Sequence, residues 1–479
     1  VRECATVDVA TGRATRATRA TRATRATRAT RATRRRTILG GIAAGTLTPL
    51  LAACGASSGA PGDASAGSSR LPTEPQQLIY MTWLAQDQTS LMQKAADVVR
   101  QRFPNIQTEI QSTPQAQMIL KPSTMAAAGT PPDVLHTNDK QVVDSIARNL
   151  LSDLTPLVNR DKGAVQLDDF YPVYINGMRY QNKLLALPDF TGTSVMFYNK
   201  KLLDDAGIKH PGNDFTWDEF EAAGRRLLQR FPEGSSTFLI QPFAEDIRHI
   251  PLLAWSGGGA MVEGSGIIPP DKTVAKIYSP QNIKQWQRYV DWIQKLHIIA
   301  RPGETSDWTN ERQALVMSTR DSVPGYLNRV PWMLTHAGVA LPPKGSVPLR
   351  TRATTRASAI PPGVKNRDAS WEVVKYMTGK EGLEITMAGG YTQPVRKSVE
   401  PAFQRTLAPF ESFQVYQDSQ KFYGDGVPYH AQWIELEPVV KEHIQRAVKG
   451  EATVDQALRD LQTQFELAFK RAAETFAGK

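Results

Sequence analysis

The side chains of this 479-residue chain that could carry chemistry point away from catalysis. Its seven histidines are scattered, with no His-Glu-x-x-His and no pair at metal-ligand spacing. Asp168-Asp169 and Asp204-Asp205 are neighbouring acids, and neighbours in sequence point apart, so neither pair can straddle a scissile bond. Glu263-Gly264-Ser265-Gly266 lacks the strand-to-helix setting that exposes a nucleophilic serine. No Walker A loop is present, and no cofactor or metal is expected. What the chain does offer is aromatic faces beside planar polar groups. Trp83 closes an apolar run, and Gln86 and Asp87 follow in the same loop. Indole faces stack on patches of C–H, while carboxamides and carboxylates take hydroxyls. Asp87 reads equally well as the cap of the helix that follows.

The elements that must position these groups alternate strand and helix, the signature of an α/β fold. Gln77–Trp83 is of strand length. The helix after it, capped by Thr89 or Ser90, buries a stripe of Leu91, Ala95, Val98, Val99 and Phe103. Trp83 then stands at the end of a strand, the edge where open α/β sheets hold ligands. Strands are expected at Ile106–Ile110, Asp133–Leu135, Leu184–Pro188 and Ser194–Tyr198. Helices are expected at Met118–Ala128, Gln141–Asn149, Trp217–Arg230 behind Thr216, and Ala369–Met377. Ser279-Pro280 opens a helix whose apolar residues Ile283, Trp286, Val290 and Ile293 recur at helical spacing. Thr453 and Gln456 form a capping box before a last helix that turns Leu458, Leu461, Phe465 and Ala468 inward. Trp286, Trp292 and Trp371 fall on helix stripes and read as core.

Charge is concentrated where it says little about the folded part. Residues 1–53 hold eleven arginines against Glu3 and Asp8, and the remainder holds 46 basic and 45 acidic side chains. A nucleic-acid binder needs its basic face on the folded domain, so nucleic acid is not an expected partner. Positions 13–33 repeat Arg-Ala-Thr seven times. That three-residue period fits neither helix nor strand, and suits a basic arm or a start of translation placed too early. Arg34-Arg35-Arg36 then precedes a 14-residue apolar stretch, Ile38 to Leu51, too short to span a membrane. Leu51-Ala52-Ala53-Cys54-Gly55 closes the stretch and resembles the lipobox of bacterial lipoproteins. That resemblance implies that residues 1–53 are a removed signal peptide and that Cys54 carries lipid. Arg35-Arg36 also resembles a twin-arginine export signal. Cys4 is the only other cysteine, so the mature chain is expected to hold no disulfide. Residues 54–75, rich in Gly, Ala, Ser and Pro, read as a flexible tether. The expected product is exported and lipid-anchored to the cell membrane, on the cell surface or periplasmic side.

Several stretches, in order, resemble one family. They include Gly129-Thr130-Pro131-Pro132-Asp133-Val134, Leu187-Pro188-Asp189-Phe190-Thr191-Gly192-Thr193, Phe197-Tyr198-Asn199-Lys200 and Thr216-Trp217-Asp218-Glu219-Phe220. Trp255-Ser256-Gly257-Gly258, Ala369-Ser370-Trp371-Glu372, Gly390-Tyr391 and Val454-Asp455-Gln456-Ala457-Leu458 follow. Over about residues 76–470 the chain is similar to the family 1 extracellular solute-binding proteins, the carbohydrate receptors of ABC importers. The family's Gly-rich strand before Lys365 is replaced here by Arg350–Ile360 with three arginines.

The resemblance implies a two-lobed periplasmic-binding-protein fold of α/β class with hinge-crossing strands. Lobe one would comprise 76–190 and 335–380, and lobe two 191–334 and 381–479. Ligand would sit in the cleft between them, and the chain, a monomer, would hand it to ABC permease subunits. Asn138 and Asp139 follow the third strand, where the family places hydroxyl-binding acids; a helix cap is the other reading. Asp189 and Thr191 lie at the first crossover, where hinge geometry alone would explain them. Trp255 matches a position that often lines the pocket. Trp308, Arg320, Tyr391 and Trp433 complete the candidate set. The implied ligand is a sugar or oligosaccharide. Two rivals stand beside that reading: a secreted carbohydrate-active enzyme, and a receptor for a non-sugar such as glycerol phosphate or a polyamine.

Overall fold

The computed structural model describes residues 71–477 except 233, 244–248, 265, 305–306, 352 and 422–427. The expected signal segment, Cys54, most of the tether, and Ser265 lie outside the described residues. Seven strands form one mixed sheet: β1 (Gln76–Thr82), β2 (Ile106–Ser112), β3 (Val134–Asn138), β4 (Leu187–Asn199), β5 (Leu315–Thr319), β6 (Ala337–Ala340) and β7 (Ala353–Ala359). Their order is β2-β1-β3-β7-β4-β5, with β6 also on β4. β1 runs parallel to β2 and β3. β7 is antiparallel to β3 and β4, as are β5 and β6 to β4.

Leu187 and Pro188 of the strand expected at 184–188 and all of the one expected at 194–198 belong to a single strand, β4, while Leu184 pairs with Arg179 in a short hairpin; all thirteen positions of β4 are buried. Pro, Asp and Gly in 188–192 suggest a turn, but the backbone there is paired on both sides. Thr191 opposes Thr355 of β7 on one side and bridges to Gln393 on the other. Farther along, Met196, Phe197 and Tyr198 have β5 on one side and β6 on the other. With neighbours at both edges, tertiary pairing overrides local turn preference.

Seven helices matter to the packing: α1 (Gln86–Arg102), α2 (Val142–Ala147), α3 (Trp217–Arg230), α4 (Pro280–Gln294), α5 (Arg367–Met377), α6 (Trp433–Val448) and α7 (Val454–Ala477). Thr216 and Glu219 form a full capping box on α3, and Ser279 caps α4. The Thr453 hydroxyl accepts the Gln456 N–H, and the Gln456 side chain accepts the Thr453 N–H, ahead of α7. α1 departs from expectation. It begins at Gln86 behind Ala85, and the hydroxyls of Thr89 and Ser90 donate to the Gln86 carbonyl instead of capping.

Two large hydrophobic cores result. The first gathers Leu78, Tyr80, Val99 and Val134 with Trp371 of α5. The second is built on Trp217 and Phe220 of α3, Trp286, Tyr289 and Trp292 of α4, and Leu461 and Phe465 of α7. β4 serves both: Val195 and Phe197 enter the first core, Met196 and Tyr198 the second. That division follows from the two-residue period of a strand. The segment expected in lobe two from 381 onward is shared out: Leu383, Val399, Phe403 and Tyr416 pack in the first core, while α6 and α7 lie chiefly in the second. Among the described residues no helix is long and apolar enough to cross a membrane.

Gln393 pins a further crossing segment to β4. Its N–H donates to the Thr191 carbonyl at 2.9 Å, and its fully buried side chain accepts the Thr193 N–H. Gln393→Ala leaves that buried donor unmet and is expected to cost about 2 kcal/mol. Urea titration should show a lower midpoint at unchanged slope; an unchanged midpoint would refute the assignment.

Candidate functional site

Because β1 and β3 are parallel, Thr82 and Asn138 end on the same edge of the sheet, where α/β folds bind ligands. A cavity of about 370 Å³ lies there, within the range of small-molecule sites. Trp83 and Gln88 enter it from the β1–α1 side, Asn138, Asp139 and Lys140 from the end of β3, and Thr319 and Asp321 from the end of β5. Phe190 and Gly192 of β4 also line it, with Thr354 and Arg356 of β7. The pleat that aims Phe190 and Gly192 into the cavity sends Thr191 to the reverse face. In the plane of the sheet, the Thr191 backbone meets the Thr392 hydroxyl and the Gln393 N–H at the strand edge away from β7.

Beneath these residues lies a buried polar network. One oxygen of the Asp189 carboxylate accepts from Arg356 Nε at 2.7 Å, and the other from Ser358 Oγ at 2.5 Å. His136 Nε2 stands 2.9 Å from the same carboxylate, and its Nδ1 is 2.7 Å from the Thr82 hydroxyl. Burial alone would raise the Asp189 pKa, but the charge of Arg356, helped by His136 and Ser358, holds it well below the usual carboxylate range. Burial also lowers the His136 pKa, against the pull of Asp189. A neutral imidazole with its proton on Nε2 satisfies both contacts. The His136 ring meets the Trp83 indole edge-on, with centroids 5.7 Å apart. Trp83 is half-buried and also packs on a small cluster of Met81, Met118 and Leu135. Its position is thus set from below by polar and apolar neighbours together.

Of the residues the sequence pointed to, Trp83, Asn138 and Asp139 line the cavity, and Asp189 lies directly under its floor. Thr191 is on the far side of β4. Gln86 and Asp87 stand on the first turn of α1, outside the lining, which takes Gln88 instead. Asp87 accepts a hydrogen bond from the Tyr391 hydroxyl, and that contact, with burial, pushes the phenol up to about 12. The remaining four do not line the cavity. Trp255 is half-buried against the first core. Trp308 is buried edge-on against Trp332 at 4.7 Å. Arg320 is 1% exposed, paired with Glu411 at 2.7 Å, and donates to the carbonyls of Gly390 and Thr406. Trp433 opens α6 in the second core, stacked on His430 at 4.3 Å. Phe190 and Arg356 were missed. Strand alternation through 187–193 and 353–359 would have revealed them, had both runs been read as strands. Among the described residues no cluster of three His, Cys, Asp or Glu is placed to hold a metal ion.

A larger cavity, about 450 Å³, lies between α2 and the start of α6 and is lined mainly by apolar groups such as Ala116, Ile119, Leu120, Ile434 and Phe476. Fewer polar groups converge there, and it is not at the strand ends. The smaller cavity is therefore the better ligand site. Two contacts between the β3–α2 segment and α6 stand nearby: Lys140 Nζ to Glu437 Oε2 at 3.1 Å, and the Gln432 N–H donating to Asp144 Oδ2 at 3.3 Å.

Three comparisons place this geometry among known proteins. A family model described as bacterial extracellular solute-binding protein matches residues 84–384. The chain is 20% identical over 380 residues to a binding protein of Brucella abortus, covering 77% of this chain and 87% of that one. An ABC substrate-binding protein of Listeria monocytogenes, solved with cycloalternan, superposes with a TM-score of 0.70 at 16% identity, over 82% of this chain and 99% of that one. A Mycobacterium tuberculosis protein solved with glycerophosphocholine gives 0.68 at 16% identity, over 84% and 99%. The folds agree: two α/β lobes joined by crossing strands.

Burial raises Asp144 to about 6, with Glu435 adding to the shift and the Gln432 N–H and Arg148 opposing it. A carboxyl whose folded pKa exceeds its unfolded value lends stability fully present below about 3.9 and lost as pH rises through the folded value. Asp144→Asn keeps an acceptor for Gln432 and removes the buried charge. Its stability relative to the parent should grow by about 1 kcal/mol between pH 5 and 7.5. Paired urea titrations test this; a difference independent of pH would contradict it.

Proposed function

The chain belongs to the bacterial extracellular solute-binding protein family, and from that premise we propose that it captures a sugar or oligosaccharide and delivers it to an ABC import permease. The observation that carries the sugar reading is the balance of the cleft. Among the described residues, its charged lining residues are two of each sign, Asp139 and Asp321 against Lys140 and Arg356. Both cations already have carboxylate partners, Glu437 and Asp189. A phosphate site needs surplus positive charge and a polyamine site surplus negative charge. This cleft has no surplus positive charge, since carboxylates already match both cations. It sets the half-exposed indole of Trp83 beside carboxamides and carboxylates, the mixture that suits a pyranose. The relative solved with cycloalternan supports a saccharide, and the one solved with glycerophosphocholine is the strongest argument for the phosphodiester alternative.

On this reading the protein is a receptor that returns its ligand unchanged, with no cofactor, and works as a monomer. Its lobes close about the crossing strands when ligand binds, a hinge motion that favours the liganded state. Asn138 and Asp139 would take hydroxyls and Trp83 a sugar face. Export would follow the signal segment, with Cys54 lipidated and residues 54–75 as tether.

Two outcomes are expected. In a thermal-shift screen of the purified chain against mono-, di- and oligosaccharides, glycerophosphodiesters and polyamines, one saccharide class should raise the melting temperature and be recovered intact. A ligand at 100 times its Kd adds about 2.7 kcal/mol. Consumption of the sugar would make the protein an enzyme, and a shift with a phosphodiester or polyamine alone would reassign the ligand. For the anchor, metabolic labelling with a palmitate analogue in a bacterial host should tag the chain, and Cys54→Ser should abolish the label and free the protein from the membrane fraction. Labelling that survives the substitution rules the anchor out.

A further inference from the structure

Arg356 occupies a strand in which this chain departs from the pattern it otherwise resembles, since Arg350–Ile360 carries three arginines where a Gly-rich run is usual. Its placement depends on an irregularity in the pairing of β7 with β4. Arg356 opposes Phe190 while Ala357 opposes Pro188, so Asp189 is the extra residue of a β-bulge. Bulges re-aim side chains. Here the bulge lets two consecutive residues of β4 grip one arginine: Asp189 holds Nε at 2.7 Å, and the guanidinium lies over the Phe190 ring at 4.8 Å from its centroid.

The guanidinium is thereby fixed in position and in plane. Its two terminal nitrogens make no hydrogen bond to protein among the described residues, and the side chain, though only 9% exposed, lines the cavity. A planar group held at Nε presents its remaining N–H donors as a rigid fork, which suits two neighbouring acceptors and which a lysine cannot reproduce. The positive charge is not left over for an anion. Asp189 faces it directly, and Asp321 lines the same cavity and would oppose a phosphate or carboxylate.

We propose that Arg356 is a specificity-determining residue of the cleft, its terminal N–H groups donating to two adjacent oxygens of a neutral saccharide, with Asp189 as the positioning residue that orients the fork. This deepens the sugar-receptor reading and rests on it. Ligands that present a matching pair of oxygens to the cleft floor are favoured over analogues that lack one of them.

The test uses the full chain, the saccharide found in the screen, and its monodeoxy analogues, with affinities measured by titration calorimetry. Arg356→Lys keeps a positive charge beside Asp189 and removes the fork. It is expected to weaken binding of the parent saccharide by about 10- to 100-fold, the range of one or two charge-assisted hydrogen bonds. The wild type should lose a comparable factor on one or two particular deoxy analogues, and Arg356→Lys should lose little more on those same analogues. A variant that binds like the wild type, or that is weakened equally on every analogue, overturns the assignment, since a purely structural arginine would act uniformly. If Arg356→Lys does not fold, the double variant Asp189→Asn with Arg356→Gln removes both charges together and carries the same comparison. Should the wild type bind no neutral saccharide, the receptor reading itself fails. Should it bind one that the variants bind equally well, only the role of Arg356 fails.

Discussion

The structure depends on one strand having no face to spare. All thirteen residues of β4 are buried, and its alternating side chains feed two different cores. An ordinary sheet strand buries one face and tolerates polarity on the other. Here Val195 and Phe197 are held by the first core while Met196 and Tyr198 are held by the second, so neither can be repacked alone. The same strand carries Phe190 and Gly192 to the cavity floor and Asp189 beneath it. The candidate site is therefore built on the element most constrained by packing, which suits groups that must hold their geometry.

The polar groups under the floor obey the same economy. A buried carboxylate is costly unless it is fully paired. Asp189 is paired three ways, by Arg356, Ser358 and His136. Arg356 and Ser358 sit on β7, next to β4, and His136 sits on β3, one strand farther, so the network ties three successive strands across the sheet. His136 passes the constraint on to Trp83 through an edge-on ring contact.

The sequence was most informative where the signal is local. The capping boxes of α3 and α7, the Ser279 cap, and the stripes that bury Trp286, Trp292 and Trp371 could be read from spacing alone, because they depend on residues three or four apart. It was least informative where distant segments decide. Asp189–Thr193 has turn-forming composition and is strand because β7 and Gln393 arrive from 160 or more residues away. Arg356 stayed hidden because its run was not read as a strand, although its exact neighbours are set by a bulge between strands far apart in the chain. Trp308, Trp433 and Arg320 are residue types that suit a ligand site, but composition does not reveal burial. Each is held by packing or by carbonyls of the protein itself.

The order of strands in the sheet has a consequence for synthesis and export. β7 lies in the middle, between β3 and β4, yet it is the last of the seven to be made. Until residue 359 has emerged, β3 lacks its antiparallel partner and the first half of β4 lacks the neighbour that completes it. Long-range pairings of this kind form slowly, and unpaired strand edges invite pairing with other chains. The nascent chain must therefore travel most of its length with the centre of its sheet still open, and shielding those edges falls to whatever escorts it until the last strand is inserted.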